Sequence, residues 1–293
     1  MHRMASGYVD THCHVDAILE RLKVPLDSAT DLKFLNFPAT YDRCITVACE
    51  VESFEPTMRR LINIPDVYAA FGIHPHDASV YNDSIESRII EAMSSPKVVA
   101  WGECGLDYHY DKSPRDVQQH VFARQIKQAV KLGKPIVVHT REAEEDTLRI
   151  MKEHVPQDWR VHVHCFTDSL AFAKNLLAHF SSLCIGFTGV ITFKNAQDVQ
   201  KVVSEVPLER ILLETDGPFM APIPHRGKVR PSRYLFCVWP CLAPSCLMYG
   251  RLKSTLAAFQ TAQTNLNRHQ CEVPQCLHAL CVFVVCVCVC VCD

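Results

Sequence analysis

Residues 8–14 read Y-V-D-T-H-C-H, a short apolar run that ends in two histidines two residues apart. If residues 8–13 form a β-strand, His12 and His14 project to one face at its end, because successive side chains of a strand alternate. Two neutral imidazoles side by side suit a metal ion and do not suit a hydrophobic core. Taken alone, such a pair can also lie on a loop and bind nothing, so its interpretation depends on the rest of the chain.

Seven further apolar runs of strand length follow along the chain. They are continuous rather than alternating, which is typical of strands buried on both faces of a parallel sheet. Amphipathic stretches with helical spacing lie between them. The predicted strands are 8–13, 44–49, 67–71, 97–101, 135–138, 161–165, 183–187 and 210–214, and helices are predicted over 117–131, 143–151, 170–177 and 198–206.

Eight buried strands alternating with helices predict an α/β fold, a (β/α)8 TIM barrel. A doubly wound open sheet is the main alternative. When such a sheet binds a dinucleotide, it has a glycine-rich turn after its first strand, and none is present here. In a barrel, functional side chains are expected where strands end, on the carboxyl-terminal rim.

Potential metal ligands follow six of the eight predicted strands. Strands on opposite sides of a barrel converge at its rim, so side chains far apart in sequence can meet there. Four imidazoles and two carboxylates exceed the needs of one tetrahedral ion and suit two divalent ions that share a carboxylate. The residues at these strand ends are His12 and His14, His74 and His76, Glu103 and Asp107, His139 and Arg141, His164, and Asp216.

Five motifs in this order resemble the TatD family of metal-dependent deoxyribonucleases: D-T-H-C-H, G-E-C-G-L-D-Y, V-V-H-T-R-E, H-C-F-T and L-E-T-D-G-P. The stretch F-G-I-H-P-H fits the family as well. The resemblance extends from residue 8 to about residue 229. It implies a barrel of the metal-dependent hydrolase type that cleaves phosphodiester bonds of DNA, including single-stranded DNA, as an exonuclease. It also implies two divalent metal ions as cofactors, whether Mg, Mn or Zn.

The resemblance assigns metal ligands to two ions that share one carboxylate. One ion has His12, His14 and Asp216, the other has His139 and His164, and Glu103 bridges them. A water between the ions becomes the attacking hydroxide, because two cations stabilise the anion. Asp216 is placed to take the proton, so Asp216 and Glu103 are the expected catalytic residues. His74 and Arg141 are expected to bind phosphate oxygens of the substrate.

Three residues near these motifs have other interpretations. His162 shares a strand face with His164 and could be the ligand in its place, although His164 lies nearer the strand end, which favours it. Asp107 is expected to orient its neighbours rather than to bind metal. Cys104 could be a nucleophile, but its spacing implies no partner base, and a small buried residue fits better.

The bulk properties of the 293 residues limit the possible partners. The net charge is −2 and no long basic run appears, so contact with nucleic acid must come from a local patch or from metal ions. The first seven residues contain no apolar stretch of the kind found in secretory signals. We therefore expect a soluble intracellular protein of the cytoplasm or nucleus, with no membrane contact and no obligate protein partner.

The character of the chain changes after H-R-G-K-V, which ends at residue 229. Residues 230–293 have no clear helical period and end in alternating Val and Cys, as an uninterrupted GTGTGT repeat would encode. We interpret residues 1–229 as the barrel and 230–293 as an atypical tail from non-coding sequence, not a folded domain. The last helices of the barrel are then missing or replaced, and a chemically complete site sits in a destabilised scaffold. Many transcript reads spliced continuously across the codon of Arg230 would contradict this interpretation.

Two other functions remain open. The first is an amidohydrolase or lactonase of the same barrel superfamily, whose sites also open with H-x-H and close with Asp. Many of those enzymes bridge their metals with a carboxylated Lys after the fourth strand, whereas this chain has Glu103 there, which favours the nuclease. The second is a catalytically compromised product, inactive because of its tail.

Overall fold

Eight parallel strands form one sheet in the order β1 to β8, in a computed structural model that describes residues 8–28 and 41–223. Beyond β8 the chain returns to β1: Cys13 pairs with Gly217, and the N–H of His14 donates to the carbonyl of Gly217 at 2.7 Å. The sheet therefore curls into a nearly closed barrel with helices on its outside. The prediction of a (β/α)8 barrel is confirmed, and the open-sheet alternative is wrong.

The strands and helices alternate along the whole described part of the chain. The strands are β1 Tyr8–Cys13, β2 Tyr41–Ala48, β3 Val67–Phe71, β4 Val98–Asp107, β5 Ile136–Arg141, β6 Val161–Val163, β7 Leu183–Phe187 and β8 Ile211–Leu213. The helices are α1 Val15–Leu22, α2 Val51–Arg59, α3 Asp83–Ala92, α4 Arg115–Lys131, α5 Glu144–His154, α6 Leu170–His179 and α7 Gln197–Glu205.

Strands β4 and β5 extend further than the apolar runs predict. The register between them shifts between Trp101 and Cys104, and pairing then continues as far as Asp107 and Arg141. Polar residues lie in this extension because they face the barrel mouth instead of the apolar core. Consequently Glu103 and His139 lie within strands, not after them, and the strands themselves hold both side chains.

The core lies between the sheet and the helices that cover it. Helix α4 buries Val121, Phe122 and Ile126 on the face that packs against β4, and the N–H of Ile73 donates to the buried Gln125 of the same helix. The chain leaves α4 at Gly133, whose φ of 68° lies in the left-handed region that glycine tolerates best. This packing fixes the ends of the strands, and with them the site.

The six cysteines of the described residues are free thiols, five of them buried. This agrees with their predicted role as small buried residues rather than as a disulfide framework. Within residues 8–28 and 41–223, no helix is both apolar enough and long enough to cross a bilayer. The predicted tail over 230–293, the boundary at residue 229 and any helix after β8 lie outside the described residues.

Candidate metal centre

The end of β1 places two imidazoles at the mouth of the barrel. His12 is fully buried, with its Nε2 3.3 Å from Glu103 Oε2 and 3.7 Å from Asp216 Oδ1. His14 follows the strand, and its Nε2 lies 3.4 Å from the same Asp216 oxygen. The ring of His14 is oriented from its other side, where Nδ1 lies 3.2 Å from the carbonyl oxygen of Val47. The chain closure after β8 thus brings Asp216 to the two histidines of β1.

Glu103 directs its two carboxylate oxygens to different sets of histidines. Oε2 faces His12, as given above, whereas Oε1 lies 2.7 Å from His139 Nδ1 and 2.7 Å from His164 Nε2. These two nitrogens are 3.1 Å apart. His74 also reaches Oε1, at 3.4 Å from its Nε2. A carboxylate in this position can bind one ion through each oxygen.

The structure brings together all six residues predicted as metal ligands: His12, His14, Glu103, His139, His164 and Asp216. Three groups each have ligand atoms within 4.8 Å of one another. Two of them share His12, namely His12, His14 and Asp216, and His12, His164 and Glu214; the third is His74, Glu103 and His139. Ligand atoms about 2.1 Å from a shared tetrahedral ion lie roughly 3.4 Å apart, which is close to the spacings seen here.

The charges of the centre also fit divalent ions. Burial lowers the pKa of His12 to about 3 and that of His74 to about 4, with nearby histidines acting in the same direction. Both rings are therefore neutral at pH 7 and can offer a lone pair. Burial alone would raise the pKa of Glu103, but His164, His12 and His139 hold it well below its usual range. The carboxylate is thus already ionised, as a ligand must be.

Two other histidines, His14 and His139, have raised pKa values because each lies beside a carboxylate. Burial lowers the pKa of His14, but the Asp216 carboxylate outweighs it and the pKa rises to about 9. The pKa of His139 also rises to about 9, since Asp107 and Glu103 outweigh the effect of burial. The same carboxylates that raise these pKa values would favour a bound cation.

The buried ring nitrogens of His12 test whether the residues of the site fit a metal ion. In the part of the chain that the structure describes, Nδ1 of His12 is buried with no hydrogen-bond partner, and the buried Nε2 faces only the carboxylates of Glu103 at 3.3 Å and Asp216 at 3.7 Å. Leaving buried polar atoms unpaired costs free energy, which a bonded ligand would offset. Since Nε2 of His12 faces Glu103 and Asp216, the residues present fit a metal ion.

Asp107 orients the centre from behind His139. Its Oδ2 lies 3.2 Å from His139 Nε2 and 3.1 Å from His76 Nε2, while Oδ1 accepts the backbone N–H groups of His109 and Tyr110 at 3.0 Å. With Nε2 of His139 turned to Asp107, its Nδ1 faces Glu103. This agrees with the expectation that Asp107 orients its neighbours.

Asp10 supports the other side of the site. Its carboxylate accepts the backbone N–H of Thr215 at 3.0 Å and the Thr215 hydroxyl at 2.7 Å. These bonds fix the residue before Asp216, whose φ of 50° is left-handed, a conformation that Asp tolerates better than most residues. Burial raises the pKa of Asp10 to about 7, although the bonds from Thr215 lower it.

Sequence reasoning missed the pairing of Glu214 with His162. His162 Nε2 lies 2.8 Å from Glu214 Oε2, below the centre and fully inside the barrel. Gly186 leaves the space for this pair, because a Cβ there would fall 2.4 Å from His162 Nε2. His164, not His162, faces Glu103. A signal for Glu214 exists in L-E-T-D, where it is an acidic residue at the end of the last strand, two residues before Asp216.

The two predicted phosphate contacts lie in different places. His74 lies inside the cluster. Its Nε2 is 3.4 Å from Glu103 Oε1, which is about the spacing expected between two ligands of one ion. Arg141 is the last residue of β5, with its guanidinium carbon 4.8 Å from the ring centre of Tyr110. Arg141 is therefore at the rim, on the same strand as His139.

Comparison with known proteins gives a consistent result. The family model TatD related DNase matches residues 9–245, a range that continues past residue 229. The human 3'-5' RNA nuclease TATDN2 is 40% identical over 226 residues, which are 75% of this chain but only 29% of the human protein, so this chain spans less than a third of that relative. The uncharacterized metal-dependent hydrolase YabD of Bacillus subtilis is 36% identical over 77% of this chain and 86% of its own. The crystal structure of YJJV, a TatD homolog from Escherichia coli, has a TM-score of 0.66 at 28% identity, and covers 82% of this chain and 90% of its own.

Proposed function

The chain belongs to the TatD-related DNase family of metal-dependent hydrolases, and on that basis we propose that it cleaves phosphodiester bonds of nucleic acid with the help of two divalent ions. DNA is the proposed substrate, single-stranded and cut from an end. The metals are Mg, Mn or Zn, since mixed imidazole and carboxylate sites accept all three.

The observation that carries this proposal is the division of Glu103 between two sets of ligands. One oxygen faces His12, next to His14 and Asp216, and the other faces His139 and His164. This arrangement supports a pair of ions that share one carboxylate, which is typical of enzymes that hydrolyse phosphate esters. A carboxylate on the fourth strand also distinguishes the site from the amidohydrolases that use a carboxylated Lys there.

The residues around the pair then have separate tasks. When bound, two divalent ions acidify a water molecule and neutralise charge on the phosphate. Asp216, whose Oδ1 lies 3.4 Å from His14 Nε2, would help to hold one ion and would be the base that accepts a proton from the attacking water. Asp107 holds His139 in the ring orientation that turns Nδ1 to the centre. Arg141, on the rim, binds an oxygen of the phosphate that enters.

RNA is the second candidate substrate. The human relative TATDN2 is named a 3'-5' RNA nuclease, and its match covers most of this chain. The metal site acts on the phosphate group, which DNA and RNA share, so the sugar must be distinguished elsewhere.

We would test the proposal by incubating the full chain with end-labelled single-stranded DNA and RNA of one sequence, with Mg²⁺, Mn²⁺ or Zn²⁺ and with EDTA. An N-acyl and lactone panel runs in parallel. The expected result is stepwise shortening of DNA that EDTA abolishes. Glu103→Gln removes one negative charge at nearly constant shape and should abolish cleavage, whereas Glu153→Gln, an exposed helix residue, should not.

Each other result has a clear meaning. If only RNA is shortened, DNA is not the substrate and RNA, the second candidate, takes its place. Hydrolysis of the acyl or lactone panel without cleavage of nucleic acid overturns it. Full cleavage by Glu103→Gln removes the assignment of Glu103 as the bridging ligand.

A further inference from the structure

Two exposed aromatic rings stand at the mouth of the barrel. Large apolar side chains that remain exposed in the described residues are Val80, Tyr110, Leu132, Phe219 and Ile223, and only two of these are aromatic. Tyr110 is 54% exposed and Phe219 is 44% exposed. Exposed aromatic rings beside a binding site can stack on a planar group of a ligand.

Both rings are tied to the metal centre. The N–H of Phe219 donates to the carbonyl of Asp216 at 2.8 Å, and its ring centre lies 5.6 Å from that of His14. Tyr110 follows β4: its N–H donates to the Asp107 carboxylate at 3.0 Å, and its ring centre lies 5.5 Å from that of His76. Each ring thus follows an acidic residue of the site by three positions and lies against a histidine at the mouth.

The two rings lie on opposite sides of the mouth. Phe219 follows β8, which neighbours β1 where the barrel closes, whereas Tyr110 follows β4, next to β5. In a barrel of eight strands in sequential order, these positions are half a turn apart. The cluster around Glu103 therefore lies between them.

Each ring makes a cation–π contact with an arginine. The guanidinium carbon of Arg21 lies 5.2 Å from the ring centre of Phe219, and that of Arg141 lies 4.8 Å from the ring centre of Tyr110. A cation over a ring occupies one of its two faces, and the His109 ring lies edge-to-face with that of Tyr110, with the ring centres 4.7 Å apart. An aromatic platform with a neighbouring arginine is what single-stranded nucleic acid requires, since its bases stack and its phosphates are anionic.

We propose that Phe219 and Tyr110 are base-stacking platforms for the two nucleosides that flank the phosphate to be cut. This inference rests on the proposed function. The base on one side of the scissile phosphate stacks on Phe219 and the base on the other side stacks on Tyr110, which holds the phosphate over the centre. Because every base has a flat π-face, the site binds single strands with little regard to base identity, and it excludes a paired duplex whose bases are already stacked.

The test compares alanine variants with substrates that lack a base. For single-stranded DNA, kcat and KM are measured with an intact oligonucleotide and with oligonucleotides carrying an abasic site on either side of the cleaved bond. Phe219→Ala and Tyr110→Ala should each raise KM about tenfold on the intact strand, the loss expected for one stacked base. On the oligonucleotide that lacks the base stacked by the substituted residue, the variant and the wild type should have the same KM.

Control variants separate stacking from folding. Phe219→Tyr and Tyr110→Phe should keep wild-type KM, because both retain a ring. Leu132→Ala removes an exposed apolar side chain at the end of α4, away from the mouth, and should change neither constant. Equal losses on intact and abasic strands would show a merely structural role and overturn the proposal, as would alanine variants that behave like wild type.

A binding measurement keeps the inference separate from the proposed function. Fluorescence anisotropy with the same labelled strands in EDTA reports affinity without cleavage. The wild type could cleave no nucleic acid and still bind the intact oligonucleotide about tenfold more tightly than either alanine variant does. That result would contradict the proposed function but support the stacking role of Phe219 and Tyr110. If the wild type cleaves and the variants bind and cleave equally well, the proposed function is supported and the stacking role of Phe219 and Tyr110 is contradicted. Wild type that neither binds nor cleaves single strands overturns both.

Discussion

At the scale of single residues, the centre depends on carboxylates that are each shared by more than one imidazole. Glu103 serves four histidines and Asp107 serves two. At His139 this sharing fixes which ring nitrogen faces Glu103, because Nε2 is already bonded to Asp107. The residues that orient ligands should therefore affect metal affinity nearly as strongly as the ligands do.

Asp107→Asn tests this at His139. An amide can no longer hold the His139 ring through a charged bond, so we expect metal affinity and kcat/KM to fall about 10- to 100-fold. Isothermal titration with Mn²⁺ and a cleavage assay would measure both. Asp111→Asn, which removes an exposed carboxylate paired with Arg115, is the matched control and should change neither quantity. Unchanged metal affinity in Asp107→Asn would remove its orienting role.

Asp168→Asn should stabilise the protein at neutral pH. Burial and the nearby charge of Glu144 raise the pKa of Asp168 to about 6, although Thr140 lowers it. Since this pKa lies above the unfolded value of 3.8, the ionised carboxylate costs stability above pH 6, and the cost vanishes as the pH falls toward 4. We expect a gain of about 1–2 kcal/mol at pH 8 and none at pH 4.

Urea unfolding of wild type and Asp168→Asn at pH 8, 6 and 4 would measure this difference. Asp158→Asn changes an exposed aspartate in a turn and should show no such dependence on pH. A gain that stays constant from pH 8 to pH 4 would show that the charge of Asp168 is not its cause.

At the scale of elements, β4 is the strand that carries the centre. Glycines stand on both sides of Glu103, with φ of 148° at Gly102 and 152° at Gly105. A Cβ at Gly105 would lie 1.9 Å from the carbonyl oxygen of His139, on the neighbouring strand β5. The glycines thus let β4 approach β5 closely, which brings Glu103 within reach of His139.

Gly105→Ala should therefore be severely destabilising, by about 3 kcal/mol or more, since it combines an unfavourable φ with contact to backbone that cannot move away. Gly133→Ala is the matched control, because φ there is also positive at 68° but a Cβ would meet nothing within 4 Å. It should cost about 1 kcal/mol. Thermal unfolding of the two variants would separate the clash from the backbone cost, and equal losses would contradict our account of β4.

At the scale of the whole molecule, the site and the fold both depend on the contact between β1 and the segment after β8, which closes the barrel. The bond from the N–H of His14 to Gly217 closes the barrel and also sets Asp216 against the histidines of β1. Ions bound between β1, β4, β5, β6 and the segment after β8 would join five separate parts of the barrel. Metal binding should therefore stabilise the fold as well as supply the chemistry.

Loading with metal should raise Tm. At a free concentration 100 times Kd, one bound ion contributes about 2.7 kcal/mol, which corresponds to roughly 5–10 °C for a barrel of this size. Differential scanning calorimetry with Mn²⁺ and with EDTA would measure the shift, and Glu103→Gln should lose most of it. The same Tm in Mn²⁺ and in EDTA for the wild type would argue against ions held inside the barrel.

The sequence by itself determined the strand order, the barrel and the set of residues at its mouth. Continuous apolar runs are recognisable because a strand buried on both faces needs them, and the histidines and acids stand out because a core does not tolerate them. Only the tertiary structure decided which of these residues meet: His164 rather than His162 faces Glu103, His74 joins the cluster, and Glu214 pairs with His162. Distances between strands depend on register shifts and on close approaches at glycines, and these follow from how the whole barrel packs, not from the local order of residues.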